Sequence, residues 1–279
     1  MKLSIFVGLG LFVGIVARGA DAPRESGATA AGELVSFSRG DATLHGWLCK
    51  PQGTGPFPAM IFNHGSEKTP GSFPPLAAFW TSKGYVFFVP HRSGHGRSEG
   101  EYIVDLQKQF REKEKDAALC QKQDIELHER ANLDVVAAVA WLKEQPIVDK
   151  NRLVMSGGSY GGIQTLLSAE KNLGVKAYVP FAAAAMSWQG NPLLRQRLAQ
   201  CVKNGKAPIF FLQAQNDYDL GPSELLGEEL KSKGGLNRAK VYPPFGDPKE
   251  HKDGHGGFIV RASEVWGADV LGFVNEAFK

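Results

Sequence analysis

Residues 157–161 read Gly-Gly-Ser-Tyr-Gly and follow the apolar run Leu153-Val154-Met155. Glycines two places before and two places after Ser159 satisfy G-x-S-x-G, the spacing of a strained strand-to-helix turn that exposes a serine hydroxyl. Phosphate-binding readings of the same glycines fail. No frame through Gly157, Gly158, Gly161 and Gly162 gives G-x-G-x-x-G, and Gly162-Ile163-Gln164 cannot end a P-loop. The chemistry left is nucleophilic attack by Ser159. A helix opening at Tyr160 would aim its positive dipole end at the developing oxyanion.

A serine hydroxyl is a weak nucleophile near neutral pH, so it needs a base, and the base needs an orienting acid. In a strand–loop architecture of this kind the chain order is Ser, Asp/Glu, His. The strand-like run Pro208–Leu212 leads into Gln213-Ala214-Gln215-Asn216-Asp217-Tyr218-Asp219. Asp217 comes first and is the preferred acid, with Asp219 as the alternative; either could instead cap the helix that opens near Pro222. Downstream of these residues stand His251 and His255. His255 lies in the glycine-lined stretch Gly254-His255-Gly256-Gly257 before the final helix and is the expected base. His251, among Lys249, Glu250, Lys252 and Asp253, reads as solvent-exposed.

The oxyanion needs two N–H donors. One is the amide of the residue after the nucleophile, Tyr160. The other falls on the loop Asn63-His64-Gly65-Ser66 behind an early strand, where the Ser66 amide is the candidate. His64 precedes the serine and reads as a brace for that loop. No metal is expected: neither His251, Asp253 and His255 nor His91 and His95 has H-E-x-x-H spacing or a cysteine partner.

These residues need a scaffold. Glu33–Ser38 and Thr43–Cys49 read as a hairpin. Ala59–Phe62, Tyr85–Val89, Leu153–Met155, Lys176–Val179, Ile209–Leu212 and Ala239–Tyr242 are short runs suited to strands, most of them apolar enough to be covered on both faces. Helical patterns lie between them, most clearly Ala131–Gln145, whose expected apolar stripe is Leu133, Val136, Ala137, Ala140 and Trp141. Pro222–Lys233 and Ala262–Phe278 read as further helices. The alternation predicts an α/β fold, one domain over 33–279, with a mainly parallel twisted sheet and helices on both faces. The charged segment Glu101–Arg130 breaks the rhythm and is expected to be a solvated helical excursion, with a lid as the alternative.

The first residues stand apart. Met1-Lys2, the charge-free run Leu3–Val16 and the small residues Ala17 and Gly19 have the layout of a secretory signal. Cleavage is expected after Gly19, with Ala22 as the alternative site, giving an exported chain without stable membrane association. Lys2 and Arg18 leave with residues 1–19, so the formal charge falls from +3 to +1. A near-neutral chain without a Lys/Arg block offers nothing for nucleic acid. Cys49, Cys120 and Cys201 permit one disulfide in an exported protein, and their odd number leaves at least one thiol unpaired within the chain.

The ordered series of motifs resembles the α/β-hydrolase fold, and within it the dienelactone-hydrolase-like group of single-domain esterases. The series comprises His64-Gly65, the turn His91-Arg92-Ser93-Gly94-His95-Gly96-Arg97-Ser98, the Ser159 elbow, Asn216-Asp217 and Gly254-His255. Dienelactone hydrolases proper carry a cysteine nucleophile where this chain has serine, so the resemblance implies ordinary ester cleavage of a small-molecule substrate. It also implies an acyl-enzyme on Ser159 and no cofactor. Met186 and Trp188, in Phe181–Trp188 after a strand, are the expected pocket residues. Other functions compatible with the fold are a peptidase or amidase, a cofactor-free perhydrolase and a non-catalytic binding module.

Overall fold

The computed structural model describes residues 32–279; the expected signal segment lies outside that range. A hairpin opens the sheet: β1 (Glu33–Arg39) pairs antiparallel with β2 (Ala42–Cys49), and β2 pairs antiparallel with β4 (Val86–Pro90). The remaining strands run parallel: β3 (Phe57–Asn63), β5 (Val148–Gly158), β6 (Val175–Phe181), β7 (Phe210–Ala214) and β8 (Arg238–Tyr242). The sheet order is β1-β2-β4-β3-β5-β6-β7-β8. Its crossovers carry α1 (Pro74–Ser82), α2 (Ile103–Lys113), α3 (Ala117–Lys143), α4 (Tyr160–Ala169), α5 (Pro192–Asn204) and α6 (Gly221–Lys233), and the chain closes with α7 (Phe258–Arg261) and α8 (Ser263–Ala277).

Continuous apolar strands follow from burial on both faces. In β3, Ala59 and Ile61 join the core beneath α3 to α6, while Met60 and Phe62 join the core beneath α1, α7 and α8. In β7, Phe211 goes to the first and Phe210 and Leu212 to the second. Alternation along a strand thus feeds two cores, each large buried side chain contributing about 1.5–3 kcal/mol.

One local expectation is corrected. The stripe expected on the Ala131–Gln145 helix is shifted: Ala137 and Trp141 pack against the core as expected, but Leu133 is half exposed and Ala140 exposed, while Asn132, Asp134, Val135, Ala138, Val139 and Leu142 face inward. Polar residues on the inner face hid the true period. Asn132 Nδ2 donates to Gln164 O at 3.0 Å and Ser168 Oγ at 3.0 Å, tying α3 to α4. Asp134 accepts from the Ser93 amide at 2.7 Å and pairs with Arg39 Nε at 2.6 Å. The charged excursion is helical as expected: it is α2 plus the first half of α3, a single 27-residue helix capped by the Asp116 side chain. Ile103 and Leu127 pack beside Tyr160. All three cysteines are free thiols, Cys49 and Cys201 buried.

Candidate active site

At the C-terminal end of β5 the backbone turns through Ser159 at φ 55°, ψ −117°, and α4 begins at the next residue. A non-glycine residue in this region is strained and needs its surroundings to hold it. They do so through the Ser159 amide, which donates to Phe181 O at 3.0 Å, and through close packing of the turn on β3. A Cβ at Gly161 would lie 1.8 Å from the Asn63 carbonyl oxygen, which accounts for the second glycine of the elbow.

β7 leads into the expected acid. Asp217 is buried, and its Oδ1 accepts from the Tyr218 amide at 2.7 Å and from His255 Nδ1 at 2.7 Å. Gln213 Nε2 donates to Asp217 Oδ2 at 2.9 Å, while Ser223 Oγ holds Gln213 Oε1 at 2.6 Å. Asp219 has a different post. Its Oδ1 accepts from the Gly221 amide at 2.7 Å at the start of α6, and its Oδ2 from Gln189 at 2.7 Å. Geometry therefore separates the two aspartates.

His255 sits in a π-helical turn, Asp253–Gly257, that runs straight into α7, instead of the plain glycine turn expected. Asn216 pins the approach: its Nδ2 donates to Phe245 O and Asp247 O at 3.0 Å each, and a Cβ on Gly254 would fall 2.4 Å from its Oδ1. With Nδ1 committed to Asp217, His255 Nε2 is buried and has no hydrogen-bond partner among the described residues. Ser159 and His255 line one cavity of about 190 Å³, together with Gly65, Ser66, Glu67 and Met186. His251 is exposed, as read from its neighbours.

The loop after β3 is held by the turn after β4. Arg92 is buried, and its guanidinium donates to His64 O at 2.9 Å and Gly65 O at 2.5 Å while stacking 4.5 Å over the Tyr160 ring. Tyr102 Oη donates to Ser66 O, and the Gly96 amide donates to Lys68 O at 2.8 Å. His64, His91 and His95 form a buried cluster, His64 and His95 with ring centroids 4.6 Å apart. Burial and the neighbouring Arg92 hold His64 well below the ordinary histidine range. Burial lowers His95 to about 3, and burial with His45 and Arg92 nearby lowers His91 to about 4. His64 thus braces the loop as a neutral ring.

Of the two expected pocket residues, Met186 lines the cavity and Trp188 does not. Trp188 is buried in the core beneath α5 and α6, its indole pressed against Gly221, because the chain turns inward after Met186. Among the described residues no group of three or more His, Cys, Asp or Glu is arranged to hold a metal ion. Arg92, Gln213 and Asn216 are the supporting residues whose individual roles the sequence reading missed.

Residues 28–185, more than half of the chain, match the acetyl xylan esterase (AXE1) family model. The chain belongs to the acetyl xylan esterase family. The matched region holds the His64–Ser66 loop and the Ser159 elbow and ends before Asp217 and His255. A polyketide transferase, grgF, from Penicillium sp is 27% identical over 175 residues, covering 62% of this chain and 52% of that protein, so the alignment spans about half of its length. Among solved structures, an esterase of Pyrococcus furiosus superposes with a TM-score of 0.63 at 15% identity, covering 94% of this chain and 96% of its own. A provisionally named dienelactone hydrolase of Klebsiella pneumoniae gives 0.60 at 16% identity, with 87% and 97% covered. At these identities the superpositions establish the fold alone: it is the α/β-hydrolase fold, with the mainly parallel sheet and N-terminal hairpin that the sequence predicts.

Proposed function

We propose that the chain is a serine esterase acting on small-molecule carboxylic esters. The observation that carries this reading is the 2.7 Å Asp217–His255 bond, which leaves a bare imidazole nitrogen in the same cavity as the strained Ser159. Ser159 Oγ attacks the ester carbonyl carbon while its proton passes to His255 Nε2. Asp217 holds the Nδ1–H tautomer and stabilises the imidazolium. The tetrahedral oxyanion is met by the amides of Ser66 and Tyr160. Collapse breaks the bond to the alcohol, which leaves with the proton from Nε2. A water molecule then gives its proton to Nε2, attacks the acyl carbon and releases the acid, and Ser159 regains its proton.

Family membership supports ester cleavage, and a cavity of about 190 Å³ suits a short acyl group better than a polypeptide. The reading is tested with p-nitrophenyl acetate and butyrate: the parent turns them over and Ser159→Ala loses the rate by about 10³-fold or more. A parent inert on esters but active on aminoacyl amides would make it an amidase, and one inert on both a binding module. Export with cleavage after Gly19 belongs to the same proposal and is read by N-terminal sequencing of the secreted chain.

A further inference from the structure

Glu67 is the one carboxylate on the wall of the Ser159 cavity, whose other side chains there include Phe62, Phe73, Met186 and Ile259. It directly follows Ser66 on the loop that faces the nucleophile, and its Oε2 is turned back so far that a Cβ on Gly65 would lie 2.6 Å from it. No lysine, arginine or histidine nitrogen lies within ion-pair distance of it among the described residues, whereas its cationic neighbours are engaged elsewhere. Arg92 spends its guanidinium on the carbonyls of His64 and Gly65 and on the Tyr160 ring. Lys68 reaches Asp105 at 3.4 Å and lies over the Tyr102 ring. Glu67 is exposed where it lines the cavity; desolvation by its neighbours raises its pKa, opposed by backbone N–H groups of Glu67 and Gly65 and by Arg92, and a cation from solution would add to that opposition.

A carboxylate held by backbone N–H groups of Gly65 and Glu67 but by no ion pair among the described residues, on an otherwise apolar wall beside Ser159, is a charge filter. We propose that Glu67 selects substrate charge: the preferred ester carries an alkylammonium group that seats beside this carboxylate, and esters carrying a carboxylate are turned away. Repulsion of the wrong charge contributes to the selectivity as much as attraction of the right one. The inference rests on the esterase reading and deepens it.

The test compares isosteric esters differing only in charge. On the alcohol side these are choline acetate and 3,3-dimethylbutyl acetate. On the acyl side they are p-nitrophenyl esters ending in trimethylammonium, tert-butyl or carboxylate. The parent is expected to favour the cationic over the neutral member by about tenfold in kcat/KM, and to disfavour the anionic one by a similar factor, the scale of a partly screened charge pair. Glu67→Gln brings the ratios close to one, Glu67→Lys inverts them, and 0.5 M salt compresses them in the parent and in Glu67→Lys but leaves Glu67→Gln unchanged. Thermal melts of both variants accompany the kinetics, and since each ratio is taken within one protein, a partial loss of folded enzyme does not move it. A parent that hydrolyses all members without charge order, or ratios that survive Glu67→Gln, overturns the filter and leaves the esterase reading standing. A parent inert on every ester overturns both.

Discussion

Asp217 and Asp219 stand two residues apart and differ in what they hold. Asp217 accepts the hydrogen bond from His255 Nδ1, so Asp217→Asn lets the wrong imidazole tautomer form and is expected to lower kcat by about 10⁴-fold with the fold intact. Asp219 accepts from the Gly221 amide that opens α6, so Asp219→Ala is expected to cost about 1 kcal/mol in a urea titration and to change ester turnover by less than a few-fold. Steady-state kinetics on the pair separates the two posts; equal losses of activity would contradict the geometry. Ser159, Asp217 and His255 stood out in the sequence as candidates because they come in the chain order expected for acyl transfer on this fold, and the structure puts Ser159 and His255 in one cavity with Asp217 bonded to His255. Arg92, Gln213 and Asn216 were not, because they act through backbone carbonyls or a second side chain of another loop, and no local pattern marks such partners. Trp188 misled because a large aromatic near a strand end looks the same whether it faces a cavity or the core.

At the scale of elements, strands were easy to read and helix faces were not. Two-sided burial gives β3, β4, β6 and β7 apolar runs that need no phase, whereas α3 must be phased and its inner face holds Asn132 and Asp134. Asn132 links α3 to α4, the helix that starts directly after Ser159, through bonds to Gln164 and Ser168. Asn132→Ala removes the donor for these buried acceptors and is expected to cost about 1–3 kcal/mol, read from the shift of a denaturation midpoint. The charged excursion shows the same limit. Its composition announced solvated helix, yet only its folding partners place it: no residue of α2 or α3 lines the Ser159 cavity, although Tyr102, just before α2, ties down the Ser66 carbonyl. The π-helical turn at His255 was invisible, since glycines there read as a loop.

Across the whole molecule, buried neutral histidines set the response to acid. His64 is held well below its ordinary range, His91 is lowered to about 4, and His95 and His128 to about 3, with burial the leading cause in every case. Unfolding frees these rings to titrate near 6.5, so below that pH the unfolded chain binds more protons than the folded one. The sign follows: their contribution is fully present above about pH 6.5 and is lost progressively as pH falls toward 4 and 3. Each ring adds a slope of up to roughly 1.4 kcal/mol per pH unit in that window. Urea midpoints between pH 7.5 and 4.5 check this, and His128→Asn is expected to flatten the fall by about one ring's share. A midpoint that is flat across that range would contradict the burial account. The mainly parallel sheet with helices on both faces follows from strand–helix alternation and was readable in outline, its strand order was not; neither were these buried rings, because His64, His91, His95 and His128 come from three separate stretches of chain.

The central claim is that Ser159 is the nucleophile and that His255, oriented by Asp217, activates it. The most direct measurement is covalent capture: incubate the protein with a fluorophosphonate, digest it, and locate the adduct by mass spectrometry. The account predicts one phosphonyl group on Ser159, no labelling of Ser159→Ala, and labelling slowed by orders of magnitude in His255→Ala. An adduct on another residue, or labelling of Ser159 at the parent's rate without His255, would contradict it.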